Sequence, residues 1–271
     1  MAGATYKREG KIASIQIDPS GASSAEVREQ LNDAFRQYKE DSEAWMAVVS
    51  STGTDFWGEM QESAPTSTRE KRKRSELWAG GYVEIWKPII AAVQGRITGE
   101  GLALALGCDL RVAEEGAVFA VDSSAAAAAD VIPVWLINLV GMSKAIEMLW
   151  MGKSMDAKEA LHFGVVNRIA VKGPLKGEAP EEGRLPMAPF DTTIGVPDGK
   201  AVTAALILAD ELLAMAPVTR NFQKQIALRS IGVPFHYAQT LEIGTDPYAS
   251  EDRIEGTRAF VENRRPVWKN R

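Results

Sequence analysis

The chain has 271 residues, of which 45% are hydrophobic and 25% charged, so it can bury one substantial core and be a single domain. Its formal net charge of -5 argues against nucleic acid as a partner, because nucleic-acid-binding domains usually carry a basic surface. Cys108 is the single cysteine and the chain has two histidines, which excludes an intramolecular disulfide and gives no zinc site.

Strand-like and helical patterns alternate along the first 170 residues. Val27, Leu31 and Phe35 recur at four-residue spacing, which places them on one helical face. Short apolar or β-branched runs predict strands, several of them buried on both faces as in parallel sheets. The predicted strands are 11–17, 45–50, 89–93, 109–113 and 165–170, and the predicted helices are 24–40, 66–86, 102–106, 131–151 and 157–163. This alternation predicts an α/β fold with right-handed parallel crossovers.

The second half of the chain changes character at residue 171. Residues 171–200 contain five prolines and five glycines with little apolar periodicity, which is typical of an excursion or linker. Beyond them the sequence predicts only helices, at 203–216, 218–229, 234–243 and 250–263. The longest apolar stretch, 88–106, is interrupted by Arg96 and Glu100. With no signal-peptide pattern at the N-terminus, we expect a cytoplasmic protein that does not bind membranes.

The residues that carry a family resemblance are Lys87–Gly95, with the sequence Lys-Pro-Ile-Ile-Ala-Ala-Val-Gln-Gly, and the glycine-rich run Gly99–Ala113 that follows it. Both resemble the signature of the enoyl-CoA hydratase/isomerase (crotonase) superfamily. Further matches lie at 140–141, 155–167 and 250–260, and the resemblance covers 12–170 and 202–268. It implies a stacked spiral of ββα turns over residues 1–200, with 171–200 as an insertion. It also implies a helical trimerisation region at 201–271 and a homotrimer or a dimer of trimers.

The resemblance also implies two backbone N–H groups that bind the carbonyl oxygen of an acyl-CoA thioester, in a site called the oxyanion hole. One donor is the middle residue of a glycine triplet, here Glu100 between Gly99 and Gly101. The flanking glycines let the backbone approach the substrate, and the Glu100 side chain is either an acid or base in the pocket or a solvated group. Matching on Phe56 places the other donor at Met60, which we prefer; a match to Gly53-Thr54-Asp55 makes it Thr54 instead.

The two glutamates that carry out hydration in this family are replaced. Their positions fall on Ala103 and Ser123, neither of which can take over the proton transfers that paired carboxylates perform. Ordinary enoyl-CoA hydration is therefore disfavoured.

Another carboxylate is needed for acid–base chemistry. Asp130 is the first candidate, because divergent members of the family carry a catalytic aspartate at or beside this place. The same residue also suits the N-cap of the helix that follows. Asp122 takes the role of the second glutamate if the register shifts by one residue.

The residues expected around the acyl group are Trp57, Gly58, Gly99, Gly101, Ser123 and Trp135. The two tryptophans suit an aromatic-walled pocket, although they suit the hydrophobic core as well. We expect no cofactor beyond the coenzyme A of the substrate, and no metal. The predicted reaction is hydrolysis, isomerisation or decarboxylation through an enolate or oxyanion. The alternatives are a hydratase with relocated acid–base residues and a non-catalytic binding protein with the same fold.

Overall fold

The structure, a computed structural model, describes residues 3–20, 24–57, 85–121, 131–174, 192–244 and 246–271. Its strands are β1 Gly3–Glu9, β2 Ile12–Asp18, β3 Met46–Ser51, β4 Ile89–Val93, β5 Arg96–Ile97, β6 Leu110–Glu114, β7 Val118–Phe119, β8 Met155–Asp156, β9 Arg168–Lys172 and β10 Thr193–Val196. Its α-helices are α1 Ser24–Glu40, α2 Gly99–Gly107, α3 Ile132–Met151, α4 Ala157–His162, α5 Ala201–Leu213, α6 Pro217–Arg229, α7 Phe235–Ala238 and α8 Glu251–Val261. The mixed α/β class is thereby confirmed.

The main sheet has seven strands in the order β1-β2-β3-β4-β6-β9-β10. Strand β1 is antiparallel to β2, with Tyr6 opposite Ile15, and the other neighbours are parallel. In β3 and β4 every residue except Ser51 is buried, as the continuous apolar runs predict for parallel strands covered on both faces.

Two cores cover the two faces of this sheet. Ala47, Val49, Ala91 and Val93 belong to the larger core, which includes α1 and α2. Their neighbours Met46, Val48, Ile90 and Ala92 point the other way and pack with α5. Helix α1 forms because its apolar residues share one face, and Val27, Leu31 and Phe35 are all buried there. Each such side chain contributes about 1.5–3 kcal/mol when fully buried. The predicted domain boundary between residues 200 and 201 stays a prediction, although α5 lies on the sheet.

A second, three-stranded sheet sets the start of α2. It has the order β5-β7-β8, with Ile97 paired to Phe119 and Phe119 paired to Met155. Strand β5 follows β4 after one tight turn and leads directly into α2 at Gly99. The N-terminus of α2 is therefore held at the edge of this small sheet.

The C-terminal residues pack back on the preceding helices. The indole N–H of Trp268 donates to the Ala214 carbonyl at 3.0 Å. Asp252, which is 1% exposed, accepts hydrogen bonds from the backbone N–H groups of Lys269 and Asn270. Arg168 of β9 forms an ion pair with Glu211 of α5 at 2.7 Å.

Several predicted boundaries differ from the structure. The strand predicted at 165–170 begins at Arg168, because Val165–Asn167 form the turn that leaves α4. The excursion predicted at 171–200 contains β10, which pairs with β9 at the sheet edge. The helix predicted at 234–243 is a single turn, α7, with no buried residue. Most of the helix predicted at 66–86, including the basic run 69–74, lies outside the described residues.

Candidate functional site

The loop that leaves β3 is fixed to the turn between β4 and β5. The Asp55 carboxylate accepts the Arg96 N–H at 2.7 Å, and the Gln94 amide donates to the carbonyls of Ser51 and Gly53 at 3.0 Å each. Gly95 has φ +62°, and a Cβ atom there would lie 2.2 Å from the Asp55 carboxylate. The close approach thus requires glycine, and Asp55 acts as a structural anchor of the loop.

Trp57 at the end of this loop lies against the first turn of α2. A Cβ atom on Gly101 would lie 2.5 Å from the Cβ of Trp57, so the two backbones can meet only because residue 101 is glycine. Trp57 is buried, with 7% of its surface exposed. The structure thereby brings together four predicted site residues, namely Trp57, Gly99, Glu100 and Gly101.

The amide groups of this turn lie at the positive end of a helix. Gly99 has φ +51°, and the Leu102 N–H donates to the Thr98 carbonyl at 3.0 Å. The first N–H groups of a helix point out of its N-terminus, where the helix dipole favours negative charge. A developing oxyanion placed here is stabilised by both effects.

The alternative donor Thr54 lies in a different setting. Its side chain is exposed and its carbonyl oxygen lies against Gly95. Gly58 and Met60 lie outside the described residues, so the choice between Met60 and Thr54 stays a prediction. Trp57 immediately precedes residue 58 and lies against the first turn of α2. This position of Trp57 favours Met60 as the donor.

Glu100 is buried and carries an ion pair. Its side chain is 7% exposed, and its carboxylate lies 2.5 Å from the guanidinium of Arg28 in α1. The interpretation of Glu100 as a solvated surface residue was therefore wrong. No local pattern in the sequence indicates Arg28 as the partner of Glu100, because the two residues are 72 positions apart. Its place beside the buried positions Val27 and Leu31 was the only indication that it borders the core.

The positions of the two missing glutamates are described only in part. Ala103 is 1% exposed within α2 and has no ionisable group. Ser123, Asp122 and Asp130 lie outside the described residues, and their roles stay predictions. The segment that holds them begins beside the start of α2, since the Ala120 N–H donates to the Ile97 carbonyl at 3.1 Å. It ends at α3, which packs on α2.

Trp135 lies in the first turns of α3, half-buried and packed on the larger core. Its predicted place in an acyl pocket stays a prediction.

Cys108 is a buried core residue at the C-terminal end of α2. Burial raises the pKa of its thiol to about 12, and the thiol donates to the Leu104 carbonyl. Because the thiolate is the reactive form, we expect Cys108 in the folded protein not to react with a disulfide reagent near neutral pH. In denaturant, the absorbance of the released reagent should correspond to one reacted thiol per protein. Rapid reaction of the native protein would contradict the burial of Cys108.

Helix α3 is long and apolar enough to cross a membrane by length and composition, and so are α5 and α6 if they are taken together across their 107° bend. In α3 the helix is broken at Gly141, where φ is 76°, and Ile132, Leu136, Ala145 and Met148 are buried against the protein. Helix α5 packs on the sheet. One face of α3, and helix α5, therefore pack on the cores described above.

Comparison with known proteins agrees with this architecture. A family model described as Enoyl-CoA hydratase/isomerase matches residues 7–183. Carnitinyl-CoA dehydratases from Citrobacter koseri and Salmonella enteritidis are each 29% identical, with alignments that cover 98% and 97% of both chains, respectively.

Solved structures give the same result for the fold. An enoyl-CoA hydratase/isomerase from Mycobacterium paratuberculosis has a TM-score of 0.77 at 23% identity, covering 100% of this chain and 99% of that one. An enoyl-CoA hydratase from Mycobacterium tuberculosis has a TM-score of 0.75 at 24% identity and covers both chains fully. The crotonase-like fold predicted from the sequence is confirmed. Since the family match covers well over half of its length, the chain belongs to the enoyl-CoA hydratase/isomerase family of acyl-CoA-processing enzymes.

Proposed function

We propose that the enzyme binds an acyl-CoA thioester with its carbonyl oxygen between the backbone N–H groups of Glu100 and Met60. The bound oxygen carries the negative charge of an enolate or oxyanion during the reaction. The observation that supports this most directly is the glycine-flanked first turn of α2, packed on the buried Trp57. Preorganised donors of this kind typically contribute about 3–4 kcal/mol each to lowering the barrier.

The acid–base group of the proposed reaction is Asp130, with Asp122 as its alternative. Both are carboxylates in a segment whose described ends adjoin α2, and Ala103 has no ionisable group at the position of the first glutamate. Gly58, Ser123 and Trp135 complete the proposed surroundings of the acyl group. Hydrolysis, isomerisation and decarboxylation all use an enolate or oxyanion of this type, and none needs the missing pair of glutamates.

A second candidate is the dehydration of a 3-hydroxyacyl-CoA, or its reverse. It is favoured by the relatives named carnitinyl-CoA dehydratase, which align over nearly the whole chain. In that case Glu100 or Asp122 takes over the proton transfers of the glutamates replaced by Ala103 and Ser123.

The deciding experiment follows exchange of the α-protons of a panel of acyl-CoA esters in D₂O by NMR. The wild type is expected to catalyse exchange with at least one ester, and Asp130→Asn to slow it by about 10²–10⁴-fold. The matched control is Asp33→Asn, because Asp33 is exposed on α1 and forms a surface ion pair with Arg36. It should exchange at the wild-type rate.

The outcomes separate the candidates. If no ester binds or exchanges, the proposed function is wrong. If Asp122→Asn alone abolishes exchange, the acid–base role belongs to Asp122. Loss of water from carnitinyl-CoA or another 3-hydroxyacyl-CoA, followed by the ultraviolet absorbance of the enoyl thioester, would select the dehydratase.

A further inference from the structure

The ion pair between Arg28 and Glu100 joins α1 to the first turn of α2. The guanidinium Nη2 of Arg28 lies 2.5 Å from the Oε1 of Glu100. The carboxylate is almost fully buried, whereas 34% of the Arg28 side chain is exposed. A buried carboxylate needs such a partner, because an uncompensated charge in the interior is strongly unfavourable.

Arg28 is held on a rigid support. It follows Val27 and precedes Leu31 on α1, and both of these residues are 0% exposed in the larger core. Asn32 lies one turn after Arg28 on α1, and both residues are half-buried. The Nε of Arg28 and the Oδ1 of Asn32 have no hydrogen-bond partner in the part of the chain that the structure describes. Among the residues that the structure describes, the guanidinium of Arg28 pairs with the Glu100 carboxylate.

The charge of Glu100 sits on the same residue whose N–H is proposed to bind the substrate oxygen. A carboxylate that turned toward this oxygen would repel the negative charge that develops there, and repulsion is strong where water is excluded. The Arg28 guanidinium opposes this in two ways, since it holds the carboxylate toward α1 and compensates its charge. The geometry therefore separates the side chain of Glu100 from the task of its backbone.

We propose that Arg28 is a positioning residue, which anchors and neutralises the Glu100 carboxylate so that the Glu100 N–H can stabilise the substrate oxyanion. This inference rests on the proposed function. It assigns the Glu100 carboxylate a structural part in the turn and leaves acid–base chemistry to the aspartates.

The test is a double-mutant cycle on turnover. Arg28→Ala is expected to lower kcat by about 10–100-fold, because it removes the cation that compensates the Glu100 carboxylate beside the proposed oxyanion hole, and to change KM much less. Adding Glu100→Gln should raise kcat above that of Arg28→Ala and back toward the wild-type value, since it removes the charge that Arg28 no longer balances. Arg28→Lys should fall between the wild type and Arg28→Ala. The matched control is Arg36→Ala, which breaks an exposed ion pair on the same helix and should leave kcat unchanged.

Three results on turnover overturn the inference. The first is a double variant no faster than Arg28→Ala, and the second is complete loss of turnover in Glu100→Gln alone, which would make the carboxylate an acid or base. A wild-type rate in Arg28→Ala would also overturn it while leaving the proposed function intact.

Urea unfolding of the wild type, Arg28→Ala, Glu100→Gln and the double variant is a measurement that needs no substrate. The losses caused by Arg28→Ala and Glu100→Gln should be non-additive, with the double variant more stable than their sum predicts. Additive losses would show that the two groups do not neutralise each other. If the wild type lacks turnover, the proposed function and the catalytic part of this inference both fail, and the unfolding cycle still decides whether the pair is coupled.

Discussion

Replacement of Arg111 by methionine is expected to lower the free energy of unfolding by about 3–5 kcal/mol, because the substitution removes a buried group that several carbonyls need. Arg111 lies on β6 and is 4% exposed. Its guanidinium donates to the carbonyl of Val165 and to those of Ala105 and Cys108 at the C-terminal end of α2. Burial lowers the pKa of Arg111, because removal from water disfavours the charged guanidinium. The hydrogen bonds to these carbonyls offset that loss of hydration.

Methionine has a similar volume and no donor, so the effect should come from the unsatisfied carbonyls and not from a cavity. Urea denaturation followed by circular dichroism measures the loss. The control is Arg36→Met, in which an exposed arginine is replaced and the change should stay within about 0.5 kcal/mol. A loss of less than 1 kcal/mol in Arg111→Met would mean that the carbonyls find other partners.

The second large effect is expected for Gly101→Ala, in the first turn of α2. The added methyl group would lie 2.5 Å from the Cβ of Trp57. Neither backbone can move easily, because Trp57 belongs to the larger core and Gly101 is buried in α2. We expect a loss of about 2–3 kcal/mol in stability, as for other overpacked sites. Turnover should fall by about 100-fold, because the clash displaces the N–H of Glu100.

Gly116→Ala is the matched control, since Gly116 is exposed and a Cβ atom there has no neighbour within 4 Å. Its stability and turnover should equal those of the wild type. Trp57→Phe combined with Gly101→Ala should not restore turnover, because phenylalanine keeps the Cβ that causes the clash. Wild-type turnover in Gly101→Ala would show that the close packing of this turn does not matter for the reaction.

The elements that the sequence predicted well are those with one strongly apolar face or a fully apolar run. Helix α1 has the predicted bounds, and β4 does as well, because local periodicity alone defines them. Strand β1 was missed since Lys7, Arg8 and Glu9 give it a polar, exposed surface at the sheet edge. The short strands β5, β7 and β8 are set by pairing across the chain, which no local pattern records.

The candidate site shows the same difference between features set by local sequence and features set by contacts distant in the chain. The glycine-rich turn was readable from the sequence, because glycine at Gly99 and Gly101 marks backbone that must adopt a special conformation or approach another chain segment. The ion pair of Glu100 was not, since it joins residues 72 positions apart through the tertiary fold. Sequence spacing gives the faces of α1 and α2, but not the contact between them.

The order of strands in the main sheet has a consequence for how the chain folds during synthesis. From β1 to β10 each strand lies beside a strand that precedes it in the chain, and the order never reverses. The sheet can therefore grow from one edge as the polypeptide leaves the ribosome, with each strand added to an edge that already exists. Helix α5 covers one face of β3, β4 and β6. Because α5 begins at residue 201, it cannot cover this face until that part of the chain has been synthesised. The nascent protein thus exposes apolar sheet surface, which is prone to aggregation, until α5 has been synthesised.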